Sequence, residues 1–267
     1  SGASAGNFGW VRKWNTLIQR LATMKENGYL SDEQFNHWNG VARLFRGVEY
    51  SRLVQSFGDV PYYDKPVSDT DMDEQYKERD PRTLVMDKVY EDFVYAMANI
   101  RANDGVNYVN KYVAAALASR YMLFEGTWYK YHPGSGTNEL AKKFLELVVT
   151  AGNLVINSGL YQFNTDFRSL FGSDAQPGKE ILLYREYNST LSTMHCIASY
   201  SNLTESQAPA ANLALAKSFI CNDGKPWQSS TVAEADNFDL KKMAVTRDPR
   251  FEATFWGAPL QSSATLL

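Results

Sequence analysis

Over its first 160 residues the chain alternates long amphipathic stretches with short turn-rich breaks. Between residues 10 and 27, Trp10, Trp14, Leu17, Ile18 and Leu21 recur at intervals of three and four, which predicts a helix. Gly28, in "ENGYL", can end it in the left-handed conformation. Ser31 and Gln34 form a capping-box signature that opens a long helix running to Phe57. One stripe of that helix holds Val41, Leu44, Phe45 and Val48, and another holds Tyr50, Leu53, Val54 and Phe57. A helix apolar on two sides is packed on two sides. Gly58 and Pro61, in "FGDVPYY", then forbid continuation.

Residues 64 to 80 are acidic and turn-rich, and read as an exposed loop. Asp80-Pro81 is a restart signal, a cap followed by proline at the first helical position. Met86, Val89, Tyr90, Phe93, Val94, Met97 and Ile100 hold helical spacing without a break. A further helix is predicted over 109–125, where Ala114, Ala115 and Ala118 permit close helix approach. "EGTWYKYHPGSGTN" reads as a loop, and 139–157 as another helix. Helical pairs of this size, one alanine-rich and one amphipathic, fit a tetratricopeptide-like array.

After residue 160 the periodicity fades. "KEILLYREYN" at 179–188 is the strand candidate, "APAANLALAKSFI" a short helix, and "CNDGKPW" a turn. A second "RDPR" at 247–250 echoes the one at 79–82, read as repeated cap chemistry because the flanks differ. The expected fold is therefore mainly α. Tetratricopeptide-like helical pairs should span about 10–160, followed by an irregular, loop-rich part with a few short strands over about 161–267.

Composition narrows the function. A formal net charge of −3 and the lack of a basic stripe argue against a nucleic-acid partner. No apolar run is long enough for a spanning helix. The histidines His37, His132 and His195 stand apart without metal-ligand spacing, and no cofactor is expected. P-loop, dinucleotide and nucleophile-elbow patterns are absent. Asp69, Asp71, Asp73 and Glu74 mimic a calcium loop but lack its central glycine and its last glutamate. Cys196 and Cys221 leave one bridge or two thiols equally open.

Aromatic residues are in excess, at 13% with 16 Tyr and 6 Trp, and several fall on expected loops. Trp128, Tyr129 and Tyr131 share one such loop, Tyr187 and Asn188 flank the strand candidate, and Trp227 sits beside a Gly-Lys-Pro turn. Flat rings beside hydrogen-bonding side chains suit a sugar, whose ring C–H groups lie on an aromatic face while its hydroxyls seek polar partners. The competing reading is that each ring plugs a gap between helices. A carboxylate-pair glycosidase is conceivable, but no motif supports it.

"ARLFRGVEYSRLVQSFGDVPYYDKPV", "RDPRTLVMDKVYEDFVYAM", "NKYVAAALASRYMLFEGTW" and the later "DGKP … RDPR" together resemble SusD/RagB-type proteins, in order and over nearly the whole chain. The resemblance implies one SusD-like domain over 1–267, with tetratricopeptide-like pairs carrying an irregular ligand-binding half. It implies a surface-exposed outer-membrane lipoprotein of Bacteroidetes-type bacteria that binds glycans, or sometimes peptides, and is not an enzyme. Its partner would be a SusC-like TonB-dependent transporter. The lipidated cysteine of such proteins is missing here, and the chain ends at "QSSATLL". The expectation is thus an N-terminal part of such a protein, its lipid anchor lying outside this sequence. No binding residue transfers by motif. The alternative is a helical-repeat scaffold that binds a peptide or protein and ignores glycans.

Overall fold

The structure is a computed structural model that describes residues 3–105, 107–172, 178–188, 190–194 and 211–255. The chain divides into two compact units, Ser1–Gln162 and Phe163–Leu267. Among the described residues the first contains the helices α1 (Ala3–Glu26), α2 (Asp32–Phe57), α3 (Met72–Gln75), α4 (Arg82–Asn99), α5 (Lys111–Tyr131) and α6 (Asn138–Ile156). α1 lies on α2, α2 on α4, α4 on α5 and α5 on α6, and α2 also touches α5. The pairs α2/α4 and α5/α6 make the tetratricopeptide-like array, and α1 packs on its first helix. No described helix is long and apolar enough to cross a membrane.

The caps fall where local chemistry puts them. Ser31 Oγ accepts from Gln34 N while Ser31 N donates to Gln34 Oε1, closing the capping box of α2. Gly58 ends the helix at φ +74°, with its N–H on Val54 O at 2.9 Å. Leu44, Val48, Tyr50, Leu53 and Val54 enter a core shared with Val85, Val89 and Phe93 of α4 and Ala114, Ala115 and Ala118 of α5. Close approach depends on small residues at two contacts. A Cβ on Gly47 would stand 2.9 Å from the Phe93 ring, and one on Gly126 would stand 2.8 Å from Leu145 of α6.

The "FGDVP" turn does more than stop α2. Asp59 Oδ1 accepts from Arg82 N at 2.8 Å, so the cap of α4 comes from this turn. Asp80, expected as that cap, instead accepts from Tyr62 N at 2.7 Å. Val60 and Asp80 add an isolated antiparallel bridge, and the two segments clasp each other. At the second "RDPR" the aspartate does cap locally, Asp248 Oδ1 accepting from Arg250 N at 3.0 Å.

One buried ion pair joins several elements of the first unit. Arg46 is bidentate to Asp92 at 2.8 and 2.7 Å. Its Nη1 also donates to Asn15 Oδ1 at 2.9 Å and to Asp64 O at 3.3 Å. Burial opposes the charge of Arg46, but its bonds to Asp92 outweigh that and hold its pKa above the usual arginine value.

His37 is fully buried and accepts at Nδ1 from Arg101 N at 3.2 Å, with Nε2 3.4 Å from Asp104 Oδ2. Burial lowers its pKa from 6.5, and the Arg101 charge adds to this, while Asp104 and Glu33 pull the other way without reversing it. The unfolded chain therefore takes up this proton first as the pH falls. His37 contributes stability above 6.5 that is lost as the pH drops towards the folded pKa. The urea midpoint should fall further between about pH 7.5 and about pH 5 in the wild type than in His37→Gln. Equal falls would remove this contribution.

The second unit contains α7 (Phe167–Gly172), α8 (Leu213–Ser218), α9 (Leu240–Thr246) and α10 (Arg250–Thr254). Its small core joins Ala216, Met243 and Phe251 with Phe219, Phe238 and Phe255. The strand expected at 179–188 does not form. Among the described residues its last residue makes an isolated bridge, Asn188 to Thr193. The apolar run "ILL" has no neighbouring strand to pair with among the described residues. Cys221 is a buried free thiol, its Sγ 3.4 Å from Arg247 Nη1, whereas His195 and Cys196 lie outside the described residues.

Candidate ligand-binding surface

The expected loop at residues 125–131 is helix. α5 continues to Tyr131, and His132 N donates to Trp128 O at 3.0 Å. Gly126, which reads as a break, lies against Leu145 and Ala141 of α6, so packing sets its conformation. Three rings placed together by the sequence are therefore spread around one helical turn and face different surroundings.

Tyr129 points inward and is 3% exposed, its ring 5.7 Å from Phe144. Burial, and next the Glu125 charge, push its phenol well above the ordinary tyrosine pKa. Trp128 is half-buried, with the His132 ring stacked at 3.8 Å and the Arg82 guanidinium at 4.5 Å from its centroid. Two planar groups that close to one ring leave little of its face for a ligand. Arg82 is fixed there by Glu125, which accepts from Nε at 2.6 Å and from Nη2 at 2.7 Å. Tyr131 is 68% exposed, with Lys130 Nζ 5.3 Å from its ring.

In the second unit Tyr187 is 45% exposed, with the Arg185 guanidinium 5.4 Å away. Asn188 holds the turn beside it. Its backbone exchanges bonds of 2.9 and 3.0 Å with Thr193, and its Oδ1 accepts from Leu191 N at 3.2 Å. Trp227 is half-buried and meets Phe238 edge to face at 5.0 Å. Tyr131 and Tyr187 thus expose their rings, Asn188 shapes a turn, and Tyr129 and Trp227 serve packing.

A groove between α2 and α5 escaped the sequence reading. Arg52, Gln55, Arg120, Tyr121 and Phe124 line a cavity of about 430 Å³. The signal was present as Arg52/Gln55 and Arg120/Phe124, three and four residues apart on one side of their helices. Only the pairing of α2 with α5 brings them together. Among the described residues no cluster of three His, Cys, Asp or Glu side chains could hold a metal ion.

No protein-family model matches the chain, and no curated protein matches it. Solved structures do. A SusD-like carbohydrate-binding protein from Bacteroides fragilis aligns over 90% of this chain and 44% of its own, with a TM-score of 0.62 and 17% identity. A SusD-like protein from the same organism aligns over 91% and 46%, with a TM-score of 0.61 and 21% identity. A third, solved with a xylogluco-oligosaccharide, aligns over 70% and 35%, with a TM-score of 0.55 and 19% identity. The chain spans less than half the length of each of these structures. Their likeness runs through the helical pairs and beyond them, and on that basis the chain has the SusD-like fold.

Proposed function

We propose that this chain is the N-terminal part of a non-catalytic glycan-binding protein of the bacterial cell surface. It would capture an oligosaccharide and pass it to a SusC-like TonB-dependent transporter, held at the outer membrane by a lipid anchor outside this sequence. The observation that supports this most is the fold itself. It is shared over 90% of the chain with a protein described as SusD-like and carbohydrate-binding. The exposed rings of Tyr131 and Tyr187, each beside a cation, fit the same reading. Capture needs no reacting group. It needs faces that stay put, and α5 and the Asn188 turn supply them.

Calorimetric titration against plant, host and microbial oligosaccharides, with product analysis of the same mixtures, tests the proposal. Binding without released sugar is the expected result, and turnover or silence across the panel would count against it. Tyr131→Ala and Tyr187→Ala should each weaken the best ligand roughly fivefold, on the scale of one lost aromatic contact. Unchanged affinity in both variants would move the surface elsewhere.

A further inference from the structure

The α2–α5 groove differs in charge from the chain around it. The sequence carries a formal net charge of −3, yet two guanidiniums, Arg52 and Arg120, stand over this one cavity. Arg52 is held by Glu49 at 3.3 Å, the two being neighbours on α2. Arg120 is exposed and forms no hydrogen bond or ion pair with any described residue. Its guanidinium, with five N–H donors, lines the cavity.

The remaining wall is aromatic and amide. Tyr121 is anchored against Phe93 at 6.3 Å, and Phe124 is 41% exposed, its ring offset on Trp128 at 6.1 Å. Gln55 brings both a donor and an acceptor. The volume, about 430 Å³, falls within the range usual for small-molecule sites, about 300–1,000 Å³. A guanidinium fork matches the two oxygens of a carboxylate or sulfate, a ring face matches sugar C–H groups, and an amide matches hydroxyls. No single one of these would select a ligand, but together they describe one.

We propose that the groove between α2 and α5 binds an oligosaccharide that carries carboxylate or sulfate groups. The inference rests on the glycan-binding reading above and adds to it the charge of the ligand and a second place on the scaffold. Arg120 supplies the unpaired fork, Arg52 the second positive charge, and Phe124 the platform.

The test is titration of the chain with an oligogalacturonate tetrasaccharide, its methyl-esterified form, a sulfated galactotetraose and its unsulfated parent. One acidic sugar should bind about tenfold more tightly than its neutral counterpart, and about 0.5 M salt should erase the preference. Which of the two acids does so distinguishes carboxylate from sulfate. Arg120→Gln and Arg52→Gln should each remove most of the preference, and Arg120→Lys should keep part of it. Both arginines are exposed, and circular dichroism will verify that the variants fold. Equal affinity for acidic and neutral sugars would overturn the inference and leave the glycan reading standing. A preference that survives in the double Arg→Gln variant would remove it from this groove. Equally tight binding of hexaglutamate would mean a charge trap with no sugar selectivity. Binding of no oligosaccharide at all, neutral ones across the wider panel included, would end both readings.

Discussion

Replacing Asp92 with alanine is expected to destabilise the first unit by about 3–5 kcal/mol, the scale for one partner lost from a buried ion pair. Arg46 and Asp92 are 5% and 2% exposed, so water cannot take the place of the missing carboxylate. The guanidinium would remain inside with bonds only to Asn15 Oδ1 and Asp64 O. Those bonds also tell which parts would loosen, because Arg46 ties α1, α2, α4 and the segment after "FGDVP" through one side chain. Tyr50 reinforces the last of these, accepting from Tyr63 N at 2.7 Å and donating to Tyr63 O at 3.2 Å. Urea unfolding followed by circular dichroism measures the loss. Removing both charges, in Arg46→Met with Asp92→Leu, should cost much less than Asp92→Ala alone, because no charge is then stranded. A loss below about 1 kcal/mol in Asp92→Ala would mean that solvent reaches the pair after all.

What could be read from the sequence was what neighbours along the chain determine. The capping box of α2, its stop at Gly58 and the body of α4 are local chemistry, and the structure follows them. The end of α5 is not local. Gly126 and the aromatic run after it favour a break by propensity, but the contact of Gly126 with Leu145 continues the helix. The same contact redistributed the candidate site, since Tyr129 could enter the core only if its turn was helical. Capping by Asp59 was hidden for a similar reason. Its partner, Arg82, is 23 residues away, and Asp80 offered a nearer answer. The strand at 179–188 was inferred from an apolar run alone, and a strand needs a partner that composition does not disclose.

The groove between α2 and α5 and the exposed rings at the end of α5 share one support. Phe124 and Trp128 lie a turn apart on the same helix, and Trp128 leans on Arg82 of α4. Burial opposes the charge of Arg82, but the bonds to Glu125 outweigh it and keep its pKa above the ordinary arginine value. The cation that steadies the indole is therefore itself steadied by a carboxylate inside the helix array. The residues proposed to bind on this face rest on a pair that is itself largely buried away from the surface.

Glu125→Ala is accordingly expected to cost about 2–4 kcal/mol and to weaken the ligand surface as well. Glu125 is 1% exposed, whereas the Arg82 side chain is 11% exposed and can turn part of its charge to water, which places the effect below that of Asp92→Ala. A double-mutant cycle with Arg82→Met isolates the pair. The two losses should be far from additive, because once Arg82 is gone the carboxylate has lost its reason to be buried and its removal relieves a cost. Additive losses would mean that the pair contributes nothing as a pair. The functional consequence separates support from contact. Glu125→Ala should lose oligosaccharide affinity together with stability, because the last turn of α5 loosens around Trp128. Tyr131→Ala should lose affinity at unchanged stability, because a ring 68% exposed contributes little to folding. If Glu125→Ala unfolds more easily yet binds as well as the wild type, neither the end of α5 nor the groove that rests on it holds the ligand, and the surface must be sought at Tyr187.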